Sequence, residues 1–303
     1  MHITILAALF VISRTVVSMC SAGILLFLVA LWAAKTDIAR ARGLDKIVAL
    51  SNLCFAVPLA VFGALHLAAA ESLMTMVPSY MPWRLFWAYF FGFALLAASL
   101  SIATKIQVCW SGLLFGIAMF CFVAMLDIPG SLASPRDRFG WTLTLREMTF
   151  GGGGWILAGN AMPEQGRGQG GSKLITVGRV VLGIAAIFYG IENTLHTANV
   201  PGVPLEKLMP AWIPAHQLIG YLTGAILVVA GVCILLDKKT RMATTYLGTW
   251  IVLLVVFIYG PILTAALADP STDVKIEGIN YFFDTMLFAG VILALASATP
   301  HTD

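Results

Sequence analysis

The sequence predicts an all-α, polytopic membrane protein: two tandem four-helix bundles, related as parallel repeats, behind one N-terminal helix. Three observations lead there. Of 303 residues, 59% are hydrophobic and only 11% are charged, whereas a soluble domain carries about 25% charged residues. Half the usual charge suits a surface that faces lipid. Apolar runs of about 20 residues, enough to cross roughly 30 Å of hydrocarbon, recur along the whole chain. A proline-bracketed motif also occurs twice, at 77–82 and again at 209–214.

The runs place about nine spans. The first covers 15–34. Residues 3–34 are too long for one straight span and Arg14 interrupts them, so a short interfacial helix is expected ahead of it. A signal peptide is the rival reading, but the basic n-region is missing. Further spans are expected at 47–70, 84–104, 106–127, 146–161, 174–197, 212–236, 241–266 and 276–297. The fifth is short and carries glycines 151–154, which mark close packing or a broken helix beside a cavity. They are no phosphate loop, since no Lys-Ser/Thr follows. The domain boundaries follow: an N-terminal anchor over 1–40, a first repeat over 41–162, a glycine-rich linker over 163–173 and a second repeat over 174–303.

Lys/Arg counts in short loops set orientation. One side collects Lys35, Arg40, Arg42, Lys46, Lys105, Arg167, Lys173, Lys238, Lys239 and Arg241. The other has Arg84, Arg136, Arg138, Lys207 and Lys275, with Arg146 at a helix edge. The first side is expected to be cytoplasmic, in a plasma (inner) membrane, with the N-terminus outside and the C-terminus inside. The net charge of +3 is dispersed in loops, so no nucleic-acid partner is expected; the partner is the lipid bilayer. Cys20, Cys54, Cys109, Cys121 and Cys233 stand singly in apolar runs. Single buried thiols read as packing residues, and a redox motif needs paired spacing.

The duplicated motif runs Val77-Pro78-Ser79-Tyr80-Met81-Pro82 in one copy and Met209-Pro210-Ala211-Trp212-Ile213-Pro214 in the other. At the offset that carries Pro78 onto Pro210, Tyr89 meets Tyr221, Gly92 meets Gly224, Gly116 meets Gly248 and Pro129 meets Pro261, with no gap between them. Upstream, Phe62-Gly63 meets Tyr189-Gly190 after a five-residue length change. Prolines four apart forbid a continuous helix, and the aromatic between them suits the headgroup level. Ala88/Gly92 and Gly220/Gly224 then give small residues at the spacing that lets helices approach closely.

Ionisable residues inside spans are costly and invite a functional reading. Glu192 and His196 lie four apart, hence on one helix face, and His216 opens the next helix where the first copy has Arg84. If the helix ends meet, Glu192, His196 and His216 form an outward-opening ligand pocket bordered by Trp212. The alternatives are a weak metal site, not favoured, and a hydrogen-bonded polar cluster at the interface. The first copy supplies His66 and Arg84 at the same level. Asp284 sits deep in the last span, and Arg179 is its expected ion-pair partner.

The second copy resembles the DoxX-like family of small four-helix membrane proteins. The resemblance rests on Gly178-Arg179-Val180-Val181-Leu182-Gly183, Tyr189-Gly190-Ile191-Glu192, the proline-bracketed stretch 209–214, Tyr221-Leu222-Thr223-Gly224 and Thr240-Arg241-Met242-Ala243. It covers 174–297 directly and 47–161 through the repeat. The first copy has Ser51 and Asn52 near the place of the early arginine. The resemblance implies a membrane subunit of a quinone- or thiol-linked redox assembly: at most a non-catalytic or quinone-binding subunit with a soluble redox partner; no cofactor motif is evident in the residues, and quinone is the one cofactor the resemblance brings into view. A small-molecule or lipid carrier is the alternative.

Overall fold

A computed structural model describes residues 13–162, 170–203 and 207–300. The expected interfacial helix before residue 13 and most of the 163–173 linker lie outside these residues. Among the described residues the chain is all-helical, apart from one isolated bridge between Asn199 and Leu208. The long helices are α1 (Arg14–Arg40), α2 (Asp45–Ala68), α3 (Arg84–Thr104), α4 (Val108–Ala133), α5 (Arg138–Ala161), α6 (Ser172–Leu195), α7 (His216–Leu235), α8 (Thr240–Ala268) and α9 (Thr272–Ala298). All but α5 are long and apolar enough to cross a membrane, which makes eight among the described residues.

Helix α5 corrects the expected fifth span. It is 24 residues long and begins at Arg138, well before the expected start at Arg146. Arg138, Arg146, Glu147 and its glycines dilute its hydropathy. Neighbouring helices cover it instead of lipid: glycines 151–154, Thr142, Thr144 and Thr149 are all buried.

The packing follows one pattern in both halves. Helix α2 packs on α3 as α6 packs on α7; α4 packs on α5 as α8 packs on α9. The fourth helix of each set then crosses over. Helix α5 lies against α6, α9 lies against α2, and α5 and α9 meet each other. The eight helices α2–α9 therefore form one interlocked ring, and neither set of four closes on itself as a separate bundle. Helix α1 leans on α2 from outside. Most of α2 and α9 is buried, while α1, α3 and α4 are mostly exposed, as lipid-facing helices are.

Local geometry recurs at the offset from Pro78 to Pro210. Among the described residues, six other than glycine have positive φ: Trp83, Lys105 and Gln107, then Ala215, Asp237 and Lys239. Such a conformation is uncommon for a side chain with a Cβ, yet each member of the first trio has its counterpart in the second at that same offset. Five-residue π turns stand at Val123–Asp127 and Val255–Tyr259, just ahead of Pro129 and Pro261; the wide turn accommodates the N–H that proline lacks. The close approaches match too. A Cβ on Gly63 would lie 2.9 Å from Leu96 and 3.0 Å from the Gly92 carbonyl; one on Gly190 would lie 2.6 Å from Val228 and 2.8 Å from the Gly224 carbonyl.

Candidate functional site

The expected outer pocket is only partly assembled. Glu192 is buried and accepts a hydrogen bond from Arg138 Nη1 at 2.8 Å, which ties α6 to α5. His196 Nε2 stands 3.8 Å from the same carboxylate. His216 does not join them; its Nε2 donates to the Pro210 carbonyl at 3.1 Å, within its own loop. Trp212 is 54% exposed. A shallow, open depression beside His216 is lined by Ala211, Ile213, Ala215 and Gln217, not by Glu192, His196 or Trp212. In the other half, Arg84 donates to the Met74 and Thr75 carbonyls at 3.1 and 3.0 Å, and so braces the loop before α3. His66 Nδ1 donates to the Phe62 carbonyl at 2.8 Å. The outer ring of histidines and Arg84 is thus largely spent on its own backbone.

The expected Arg179–Asp284 pair is not formed. Arg179 donates through Nη1 to the Ile234 carbonyl at 2.6 Å and stands 3.7 Å from Asp237, so it closes the C-terminal end of α7. Asn52 does the same in the first half, donating to the Ile102 carbonyl at 3.2 Å. Asp284 pairs instead with Arg146, Nη1 to Oδ2 at 2.7 Å. Arg146 also donates through Nη2 to Glu147 at 2.8 Å. One guanidinium thus bridges two carboxylates where α5 crosses α9. At 1.5 Å per residue, Arg146 lies about 12 Å into α5 and Asp284 about 18 Å into α9. Both stand two turns or more from the start of their helices.

Comparison with family models, with curated proteins and with solved structures finds no match to this chain. The chemistry of the site is carried by its own geometry.

That geometry has two halves. A Cβ on Gly116 would run into Trp155, and one on Gly248 would run into Leu293. Trp155 and Leu293 are therefore counterparts on the two fourth helices. The offset between them also carries Arg146 onto Asp284 and Glu147 onto Thr285. On the earlier helices His66 corresponds to Asn193, and Asp127 to Tyr259. In the second half Asp284 is taken up by Arg146, and the other equivalent positions are neutral. Asn193 grips Gly202 at both ends, receiving its N–H and donating to its carbonyl, each at 3.0 Å. Tyr259 donates to the Pro201 carbonyl at 2.9 Å. Val200, Pro201, Gly202 and Val203 are all buried. A Cβ at Gly202 would lie 3.6 Å from the Tyr259 hydroxyl and 3.7 Å from Thr285. The loop after α6 therefore plugs that half, and Gly202, at φ +114°, is the residue that permits the bend.

The first half carries more ionisable groups, and no segment like 200–203 is buried against them. Its loop between α2 and α3 is shorter than the loop between α6 and α7. Helix α6 touches α9 in the second half, whereas α2 and α5 scarcely meet. The Glu147 side chain keeps 21% of its surface exposed, and His66 and Asp127 are half-buried. Glu147 acts electrostatically on both His66 and Asp127. Asp127 Oδ2 is out of contact with solvent and has no hydrogen-bond partner among the described residues. A buried acceptor left unmade costs about 1–3 kcal/mol, so this oxygen calls for a donor. The charge pattern of the sequence placed Arg146 at a helix edge; its gathering with Glu147 and Asp284 was missed.

Proposed function

We propose that this chain is a DoxX-like multi-pass membrane subunit of a redox assembly, made of two copies of one four-helix unit, and that it holds a quinone in the membrane. The observation that carries this reading is the Arg146–Asp284–Glu147 cluster within the helix ring, with the unpartnered Asp127 oxygen nearby. Ionisable groups at such depth mark ligand or proton pathways more often than scaffolding. The residues fit a quinone head group: Arg146 and His66 supply donors, Asp127 and Glu147 supply acceptors, and apolar helix faces surround them for an isoprenoid tail. A bound quinone supplies two-electron, two-proton chemistry; the electrons belong to a soluble flavin- or thiol-bearing partner. The recurrences at the Pro78-to-Pro210 offset support the duplication, and the Lys/Arg asymmetry supports a cytoplasmic C-terminus.

The test is direct. The protein is purified in mild detergent and its organic extract analysed by mass spectrometry, with a short-chain benzoquinone titrated in parallel. About one quinone per chain, or saturable binding of the added one, is expected. A monodisperse protein that neither retains nor binds a quinone overturns the reading. Substrate-dependent flux into liposomes in that event supports the carrier reading.

A further inference from the structure

The membrane face that carries the end of α1 holds more positive charge than its own carboxylates meet. We propose that the end of α1 and the loop after it bind an anionic phospholipid, its phosphate among Lys35, Arg40, Arg42 and Lys46 and an acyl chain laid along the exposed side of α1. This surface lies at the opposite end of the helices from His66 and Asp127, and it is independent of any quinone.

Among the described residues three carboxylates stand on this face, and each already has a cation. Lys105 pairs with Asp37, Arg241 pairs with Asp45 at 2.7 Å, and Arg179 stands 3.7 Å from Asp237. Lys35, Arg40, Arg42 and Lys46 are exposed, and none has an ion-pair partner among the described residues. The pairs also hold the platform. Asp37 ties α1 to the end of α3, and Arg241, which also donates to the Ala296 and Thr299 carbonyls, ties the start of α2 to the end of α9. The short loop between α1 and α2 is thus held at both ends, with Gly43 at φ +53° supplying its turn. Orientation asks only for an excess of Lys and Arg in loops. Four unmet cations gathered between 35 and 46, where a span leaves the bilayer, are what recruits anionic head groups.

The occupant is an amphiphile because the charge continues into an apolar strip. Ile24, Leu28, Leu31 and Trp32 are exposed, and spacings of three and four put them on one side of α1, in line with Lys35. From Ile24 to Lys35 the helix rises about 16 Å, close to the depth of one leaflet, half of a hydrocarbon layer of roughly 30 Å. Lys35 Nζ lies 4.8 Å from the centre of the Trp32 ring, and an exposed tryptophan at a helix end marks the head-group level. Arg40, Arg42 and Lys46 follow beyond it, where phosphates lie. Helix α1 has 27 residues, about 40 Å, so its last turns reach past the hydrocarbon. A free phosphate finds the charge and leaves the strip unused; a lipid uses both.

The test uses the full chain, immobilised in mild detergent and offered equal amounts of phosphatidylglycerol and phosphatidylcholine. After washing, the retained lipids are extracted and quantified by mass spectrometry. Phosphatidylglycerol is expected to be retained at least about fivefold over phosphatidylcholine. In molar salt, where the screening length falls to about 3 Å, the preference is expected to disappear. Joint replacement Lys35→Gln, Arg40→Gln, Arg42→Gln and Lys46→Gln is expected to bring the ratio close to unity, whereas Arg40→Lys with Arg42→Lys keeps it. Lys238→Gln with Lys239→Gln, on the same face, is expected to change the ratio by less than about twofold. Melting curves and gel filtration establish that each variant is folded; should the fourfold variant not fold, Arg40→Gln with Arg42→Gln carries the test, with a partial loss expected. Inorganic phosphate and glycerol phosphate, added as competitors, are expected not to displace the lipid. Displacement by either assigns the charge to a soluble anion and overturns the inference. Equal retention of the two lipids by the unaltered chain, a preference that survives the fourfold replacement, or an equal loss from the Lys238 and Lys239 replacements overturns it as well.

Discussion

Arg146 holds one positive charge between two carboxylates contributed by two different helices. Breaking a buried pair by removing one partner costs about 3–5 kcal/mol, because the other charge is left uncompensated. Asp284→Leu is therefore expected to lower the melting temperature in detergent sharply. The exchange Arg146→Asp with Asp284→Arg restores the attraction and is expected to recover most of the loss. If the exchanged double variant melts no higher than the single one, the pair is not what holds the crossing. By contrast Glu192→Gln removes the charge but keeps an acceptor of the same shape for Arg138. A drop of about 1.5–3 kcal/mol, the worth of a hydrogen bond between charged groups, and unchanged quinone binding are expected. Arg179 shares the second set of helices with Asp284, and the sequence alone does not show that Arg146 of the first set is nearer. A signal for the true pair was present: Arg146 and Asp284 stand at the same distance before a glycine, Gly152 and Gly290, on matching helices. Reading it required knowing that the fourth helices meet, and periodicity does not tell which helices touch.

At the scale of elements, small residues set how near the helices come. A Cβ on Gly190 has backbone as well as a side chain in its way, at 2.8 Å from the Gly224 carbonyl and 2.6 Å from Val228; on Gly130 it meets nothing within 4 Å. Overpacking costs about 1–3 kcal/mol or more where backbone must yield. Gly190→Val is expected to lower the yield of monodisperse protein several-fold, and Gly130→Ala to leave it unchanged; equal yields would show that α6 and α7 tolerate separation. The spans themselves were legible, because a hydrocarbon layer imposes both length and composition on any helix that faces it. Helix α5 was legible only in part for the same reason: its faces meet other helices, so nothing selects against Arg146, Glu147 and a run of glycines. The plug was invisible, since Val200 and Val203 look like an ordinary loop until Asn193 is seen to clamp Gly202.

For the molecule as a whole, the crossing of α5 and α9 decides what is separable. Had each set of four helices closed on itself, the two halves would be neighbours joined by a linker. Instead α5 packs on α6, α9 packs on α2, and the Arg146–Asp284 pair joins the fourth helices directly. Every one of these contacts lies between the halves, and glycine as well as charge draws them together: a Cβ on Gly290 of α9 would strike the α2 backbone at Cys54 and Phe55. The connection between α5 and α6 is thus dispensable for holding the halves together. A protease site placed within residues 163–169 is expected to be cut from the cytoplasmic face only, in keeping with Arg167 and Lys173 beside it. After cutting, the two fragments are expected to co-elute on gel filtration in detergent and to melt within a few degrees of the intact chain. Adding Asp284→Leu to the cleavable protein is expected to make the fragments separate more readily, since the charge pair then no longer spans the cut. Fragments that part at once in the otherwise unaltered protein would show that the covalent link, not the interlocked ring, keeps the halves in place. Cleavage from the outer face alone would reverse the orientation that the Lys/Arg count assigns.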